Sequence, residues 1–118
     1  MTNDQPLKKL TEEISRFIDE RDWQQFHSPK NLAMALSVEV AELTEIFQWL
    51  SEKESYTPDK KTYAHIEEEV GDIMIYLSTI ANKFDIDPIN AAVKKMQKNR
   101  EKYPADKVRG KSDKYDRY

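Results

Sequence analysis

The chain has 118 residues, 35% charged and 38% hydrophobic, with a net charge of −3 at pH 7. That length suits one domain with a single core, and the charge argues against binding a nucleic-acid polymer. The absence of cysteine excludes disulfides, thiolate metal sites and a cysteine nucleophile, and glycine only at Gly71 and Gly110 argues against a glycine-rich phosphate loop.

In chain order, Leu7, Leu10, Ile14, Phe17 and Ile18 recur at helical spacing and predict a first helix over residues 7–22. A polar-aromatic connection, Trp23 to His27, follows. Ser28-Pro29 then offers an N-cap and a proline at the first helical position, opening a second helix over 29–50. Residues 51–58 are expected to be a polar loop carrying Pro58. A third helix is predicted from 59 or 60 to 84, and Asp87-Pro88 repeats the cap-and-proline signal for a fourth over 88–102. No segment alternates as a strand would. Short connections favour an all-α, antiparallel four-helix bundle, with residues 1–104 as one domain and 105–118 as a charged, mobile tail. There is no basic-then-apolar N-terminal signal and no apolar run near the roughly 20 residues needed to span a bilayer. A cytoplasmic protein without membrane contact is expected.

Two acid pairs stand out. On the second predicted helix, with Glu39 at zero and about 100° per residue, Leu32, Leu36, Leu43, Ile46, Phe47 and Leu50 all fall within about 80° of it. Glu42 lies about 60° to the other flank. On the third, Ile66, Ile73, Leu77, Ile80 and Phe84 surround Glu69 in the same way, with Asp72 about 60° to the same side as Glu42. Two helices thus repeat an acid pair at i and i+3 along one edge of an apolar face: Glu39-Val40-Ala41-Glu42-Leu43 and Glu69-Val70-Gly71-Asp72-Ile73. Ionised carboxylates in a core cost several kcal/mol unless paired or coordinated. A divalent cation or matching lysines and arginines could resolve this. A face only partly buried and lined by water is compatible with the cation. Neither apolar face carries a Lys or Arg, which favours the cation.

Glu39, Glu42, Glu69 and Asp72 form a hard oxygen set suited to Mg²⁺, with Mn²⁺ as a substitute. His27 and His65 are not placed as a di-iron site requires, at i+3 from a glutamate. His65, one turn before Glu69, lies near the carboxylate edge as a supporting group or a surface histidine. Two such ions could activate a water and neutralise a leaving pyrophosphate, which points to hydrolysis of a phosphate ester or anhydride.

Together with Glu20-Arg21-Asp22-Trp23, Phe26-His27, Pro29-x-Asn31-Leu32, Glu45-x-Phe47-Gln48-Trp49, Ile75-Tyr76-Leu77, Lys95-Met96-x-x-Asn99-Arg100 and Tyr103-Pro104-Ala105, the acid pairs resemble the MazG-like all-α nucleotide pyrophosphohydrolases, in particular their dCTP pyrophosphatase-like branch. The resemblance covers about residues 7–115. Two positions depart from it: Val38, where another glutamate often precedes the first acid, and Ile14, where animal members carry a histidine. It implies Mg²⁺-dependent conversion of a nucleoside triphosphate, dCTP or a related modified nucleotide, to the monophosphate and pyrophosphate, in the service of nucleotide-pool cleansing. The four acids would hold metal and one could orient water. Lys95, Asn99, Tyr103 and Tyr76 would bind phosphates or ribose, and Trp23, His27 and Trp49 would line the base pocket. A second apolar strip (Met34, Val38 and Trp49, with Ile75) suggests a subunit interface, and the family implies a dimer or a dimer of dimers. The rival readings are a non-catalytic helical interaction module and a hydrolase of another phosphorylated metabolite.

Overall fold

A computed structural model of the chain describes residues 5–112. Six α-helices follow one another: α1 (Gln5–Glu20), α2 (Pro29–Phe47), α3 (Glu52–Ser55), α4 (Lys60–Lys83), α5 (Pro88–Lys102) and α6 (Ala105–Val108). A 3-10 turn, Gln24–Phe26, joins α1 to α2, and no strand occurs among the described residues. The four long helices are the four expected from the sequence. Contacts divide the chain between Asp85 and Ile86 into two compact units.

Side-chain caps set the helix starts. The Ser28 hydroxyl accepts from the Asn31 amide at 3.1 Å, with Pro29 in the first turn, and Asn31 Nδ2 donates back to the Phe26 carbonyl at 3.0 Å. Asp59 accepts from the Thr62 amide at 2.7 Å, and that bond holds its carboxyl below the usual range. Asp87 caps α5 through the amides of Ile89 and Asn90.

The helix ends differ from expectation. α1 stops at Glu20 because Asp22 turns to φ 53°. The amides of Arg21 and Trp23 then both donate to the Ile18 carbonyl. α2 stops at Phe47 rather than residue 50. The segment beyond it is no loop: Ser51 accepts from the Glu54 amide at 3.1 Å while Glu54 accepts from the Ser51 amide at 2.8 Å, and this reciprocal box starts α3.

In the N-terminal unit, α2 packs along α4 and α1 packs against α4. Ile46 and Leu50 share a cleft with Thr62 and His65, whereas Leu32 shares one with Ile75, Tyr76 and Thr79, so α2 and α4 run antiparallel. Leu32 is 1% exposed, Ile18 6% and Ala81 8%. The apolar arc is only partly covered, since Leu77 and Phe84 remain 41% and 59% exposed. The turn after α1 is tied down by aromatic contacts. Phe17 and Trp23 meet edge-to-face at 5.8 Å, and the Arg21 guanidinium lies 3.7 Å over the Phe17 ring. Lys83 Nζ donates to Gln24 Oε1 at 3.1 Å, joining the end of α4 to this turn.

The C-terminal unit contains α5 and α6. The expected tail opens with the single turn of α6, and its last residues, 113–118, lie outside the described residues.

Asp85, just past α4, holds φ at 54°. Left-handed backbone favours glycine, and a negative charge at a helix C-terminus is unfavourable. Replacing Asp85 by Gly should stabilise the fold by about 1 kcal/mol, read as a higher melting temperature at fixed protein concentration.

Candidate functional site

The antiparallel seam brings the two acid pairs together. Glu39 on α2 and Glu69 and Asp72 on α4 each offer one carboxylate oxygen, and these lie within 4.8 Å of one another. Glu69 is buried and Glu39 half-buried. Glu42, the fourth predicted acid, lies outside that tight group, yet its charge acts on both Glu39 and Glu69. No lysine or arginine pairs with any of the four among the described residues. His65 Nε2 stands 3.6 Å from Glu69 Oε1 on a side chain that is 56% exposed, a supporting contact rather than a buried counter-charge.

The electrostatic strain is explicit. Burial, chiefly, pushes Glu39 up from the usual 4.5 to about 7, helped by its hydrogen bond with Glu69 and by the charges of Glu42 and Asp72. Burial also raises Glu69, with Glu42 and Asp72 adding to it and the proton on Glu39 working the other way. When both are ionised, Glu39 Oε2 and Glu69 Oε2 are buried acceptors with no donor. Such orphaned oxygens, converging with a third carboxylate, suit a divalent cation that takes oxygen ligands.

Beside this triad opens a cleft of about 330 Å³. Phe17, Trp23, Leu32 and Ile75 give it apolar walls, and His27, Asp72 and Tyr76 add polar groups. Asp72 thus belongs to both the triad and the cleft. His27 Nδ1 is buried there without a partner. A second, polar cleft of about 540 Å³ is bounded by Glu42, Glu45, Thr62 and His65.

Of the residues named from the sequence, Glu39, Glu69 and Asp72 meet, and Trp23, His27 and Tyr76 line the cleft with Asp72. Trp49 is 87% exposed beyond α2 and is not among the residues lining that cleft. Lys95, Asn99 and Tyr103 lie one turn apart along α5 and its cap, in the C-terminal unit. The Tyr103 amide donates to the Asn99 carbonyl at 2.8 Å. The charge of Lys102, then desolvation and Lys98, hold the Lys95 ammonium below its usual value. Glu13, Phe17 and Thr79 also line the cleft and were not singled out. The i, i+4 step from Glu13 to Phe17 on α1, and the continuation of the α4 edge from Asp72 and Tyr76 to Thr79, carried that signal.

Fold and site together define an all-helical protein in which paired helices converge carboxylates suited to a hard divalent cation, beside a partly aromatic cleft. The chain belongs to the MazG-like family, whose model matches residues 34–117. It is 42% identical over 105 residues to dCTP pyrophosphatase 1 of Rattus norvegicus and of Homo sapiens. Each alignment covers 86% of this chain, which spans 61% of the length of those relatives. The crystal structure of a pyrophosphatase from Archaeoglobus fulgidus DSM 4304 superposes with a TM-score of 0.81 at 40% identity, covering 88% of this chain and 97% of that one. The all-α, MazG-like fold expected from the sequence is the fold of the chain.

A raised carboxylate pKa means that the folded state holds its proton more tightly than the unfolded state does. Metal-free protein should therefore lose stability as pH rises from 4.5 through about 7. Thermal melts in chelator across that range should show the fall, and Glu39→Gln should flatten it. Stabilisation by a divalent cation should be weaker at pH 5.5 than at pH 8, because bound protons compete for the same oxygens.

Proposed function

We propose that the chain is a Mg²⁺-dependent nucleoside triphosphate pyrophosphohydrolase, converting a deoxynucleoside triphosphate of the dCTP type to the monophosphate and pyrophosphate. One observation carries this reading: Asp72 is shared between the carboxylate triad and the aromatic cleft. A nucleobase held by Trp23 would thereby place its phosphates towards the acids. The printed names of the relatives, dCTP pyrophosphatase 1 and a pyrophosphatase, support the same chemistry.

Glu39, Glu69 and Asp72 would hold the cation, with Glu42 beside them. Bound Mg²⁺ supplies charge neutralisation at phosphate oxygens and a more acidic water. The chain's own residues bind and orient. Trp23 offers a stacking face, His27 Nδ1 an unspent polar atom for the base edge, and Tyr76 a hydroxyl in the same cleft. Lys95 and Asn99 are assigned to phosphate or ribose, together with Tyr103, and Trp49 to the base. In the reaction, water adds to the α-phosphorus, the bond to the bridging α–β oxygen breaks, and pyrophosphate leaves. One of the four acids would orient the attacking water and take up the proton that it gives up. Cleansing of the cytoplasmic nucleotide pool is the role that fits this chemistry; no helix among the described residues is long and apolar enough to cross a membrane.

The working unit is a homo-oligomer, a dimer or a dimer of dimers. Met34 and Val38 on α2 are 59% and 54% exposed and Ile75 on α4 39% exposed, while few of the described apolar residues are fully buried. An apolar surface of this kind on a short chain fits a subunit contact.

The decisive experiment is a panel of dNTPs and NTPs incubated with protein and Mg²⁺, with product identity resolved. Release of pyrophosphate and monophosphate, abolished by chelator, is expected; an untouched panel would sink the reading. Glu39→Gln and Asp72→Asn should each lower kcat/KM by about a hundredfold or more while leaving the circular dichroism helical. Native mass spectrometry should show an even-numbered assembly, reduced to smaller species by the double change Met34→Glu and Val38→Glu.

A further inference from the structure

One polar group in the cleft beside the triad has no role in the chemistry above. Glu13 on α1 lines that cleft, next to Ile14 and one turn before Phe17. Its carboxylate makes no ion pair or hydrogen bond among the described residues. Of the cleft's other polar side chains, the Tyr76 hydroxyl can donate or accept, the Trp23 indole N–H can only donate, and the rest are committed or adaptable. Asp72 belongs to the triad. Thr79 donates its hydroxyl proton to the Ile75 carbonyl at 2.6 Å. His27 Nδ1 is unpartnered, but an imidazole presents a donor or an acceptor there according to its tautomer. It does not by itself tell an amino group from a keto oxygen. An ionised glutamate can only accept.

We propose that Glu13 is a specificity-determining residue of the cleft, its carboxylate accepting from the exocyclic amino group of a cytosine-like base and so rejecting the 4-keto pyrimidines. This rests on the pyrophosphohydrolase reading and names the group that sets its base preference. A 4-amino group gives the carboxylate a charge-assisted hydrogen bond. A 4-keto oxygen in the same place sets acceptor against acceptor. Ile14 and Phe17 beside it offer no polar atom of their side chains to relieve the clash. A bound base would cover the Glu13 carboxylate, and acceptors left facing each other there discriminate more strongly than a change of hydrocarbon size does. Glu13 itself is exposed at the cleft, so replacing it should leave the fold intact.

The test compares kcat/KM for dCTP, dUTP and the 2-pyrimidinone deoxynucleoside triphosphate, which lacks the 4-amino group. Wild-type protein should prefer dCTP to both by about tenfold or more. Glu13→Gln, whose carboxamide can donate as well as accept, should bring the dCTP-to-dUTP ratio close to one. Glu13→Leu should lose on dCTP about what wild type loses on the 2-pyrimidinone, and should not change on that analogue. An unchanged dCTP-to-dUTP ratio in both variants overturns the proposal, as does wild-type protein that hydrolyses the analogue as fast as dCTP. Wild type inactive on every triphosphate is a different result: it defeats the pyrophosphohydrolase reading on which this one rests.

Discussion

Everything distinctive in this molecule follows from a repulsion built into one helix seam. Glu39 and Glu69 occupy positions that would pack best as leucine or isoleucine, and the antiparallel pairing of α2 with α4 sets them against each other and against Asp72. Water is largely withdrawn from Glu69, and no lysine or arginine among the described residues replaces it. In the metal-free chain the resulting cost raises the affinity of Glu39 for a proton, to a pKa of about 7. Such a seam is stable in proportion to what neutralises it, so fold and ligand binding are thermodynamically linked. Apolar replacements would make a better core and remove the site.

The elements around the seam fix its register. Ser51 and Glu54 cap α3, and Asp59 caps α4, so the chain turns from the end of α2 to the start of α4 through two bonded helix starts. At the other end, the Ser28 cap and the Asn31 bond to Phe26 fix where α2 begins, next to the turn that carries Trp23 and His27. The Phe17–Trp23 contact then holds that turn against α1. With so few fully buried aliphatic side chains among the described residues, these caps and clamps bear more of the local order than a large core would leave to them.

The features legible in the sequence were those that local chemistry determines. Ser28-Pro29 and Asp87-Pro88 marked two helix starts, and the acid pairs repeated on two apolar faces announced that those faces would meet. Ends were less legible. Asp22 entering left-handed backbone is a tertiary outcome, shared with the docking of Trp23, and no residue type announces it as glycine would. The α3 turn was missed although Ser51-x-x-Glu54 spells a capping box, because four polar residues without an apolar stripe read as loop. The helical wheel places Glu42 beside Glu39, and its hydrogen bond and charge reach Glu69 on the opposite helix, although it stays outside the tight group of three. Glu13 was unreadable: a glutamate on an amphipathic helix is a solvated face until the cleft it borders is known.

The edge of α4 unites these parts. Glu69, Asp72, Tyr76 and Thr79 follow one another at steps of three, four and three residues, which keeps them on one side of an unbroken helix. Ten residues of α-helix advance about 15 Å, and along that length the edge passes from the buried carboxylate, through the acid shared by triad and cleft, to the hydroxyl at the cleft wall. Spacing between the clustered carboxylates and the polar groups of the cleft is thereby set by helix geometry rather than by a loop. The absence of proline from α4 across all 24 of its residues serves the same end. A kink would not merely bend a helix; it would change the distance between the acids and the cleft.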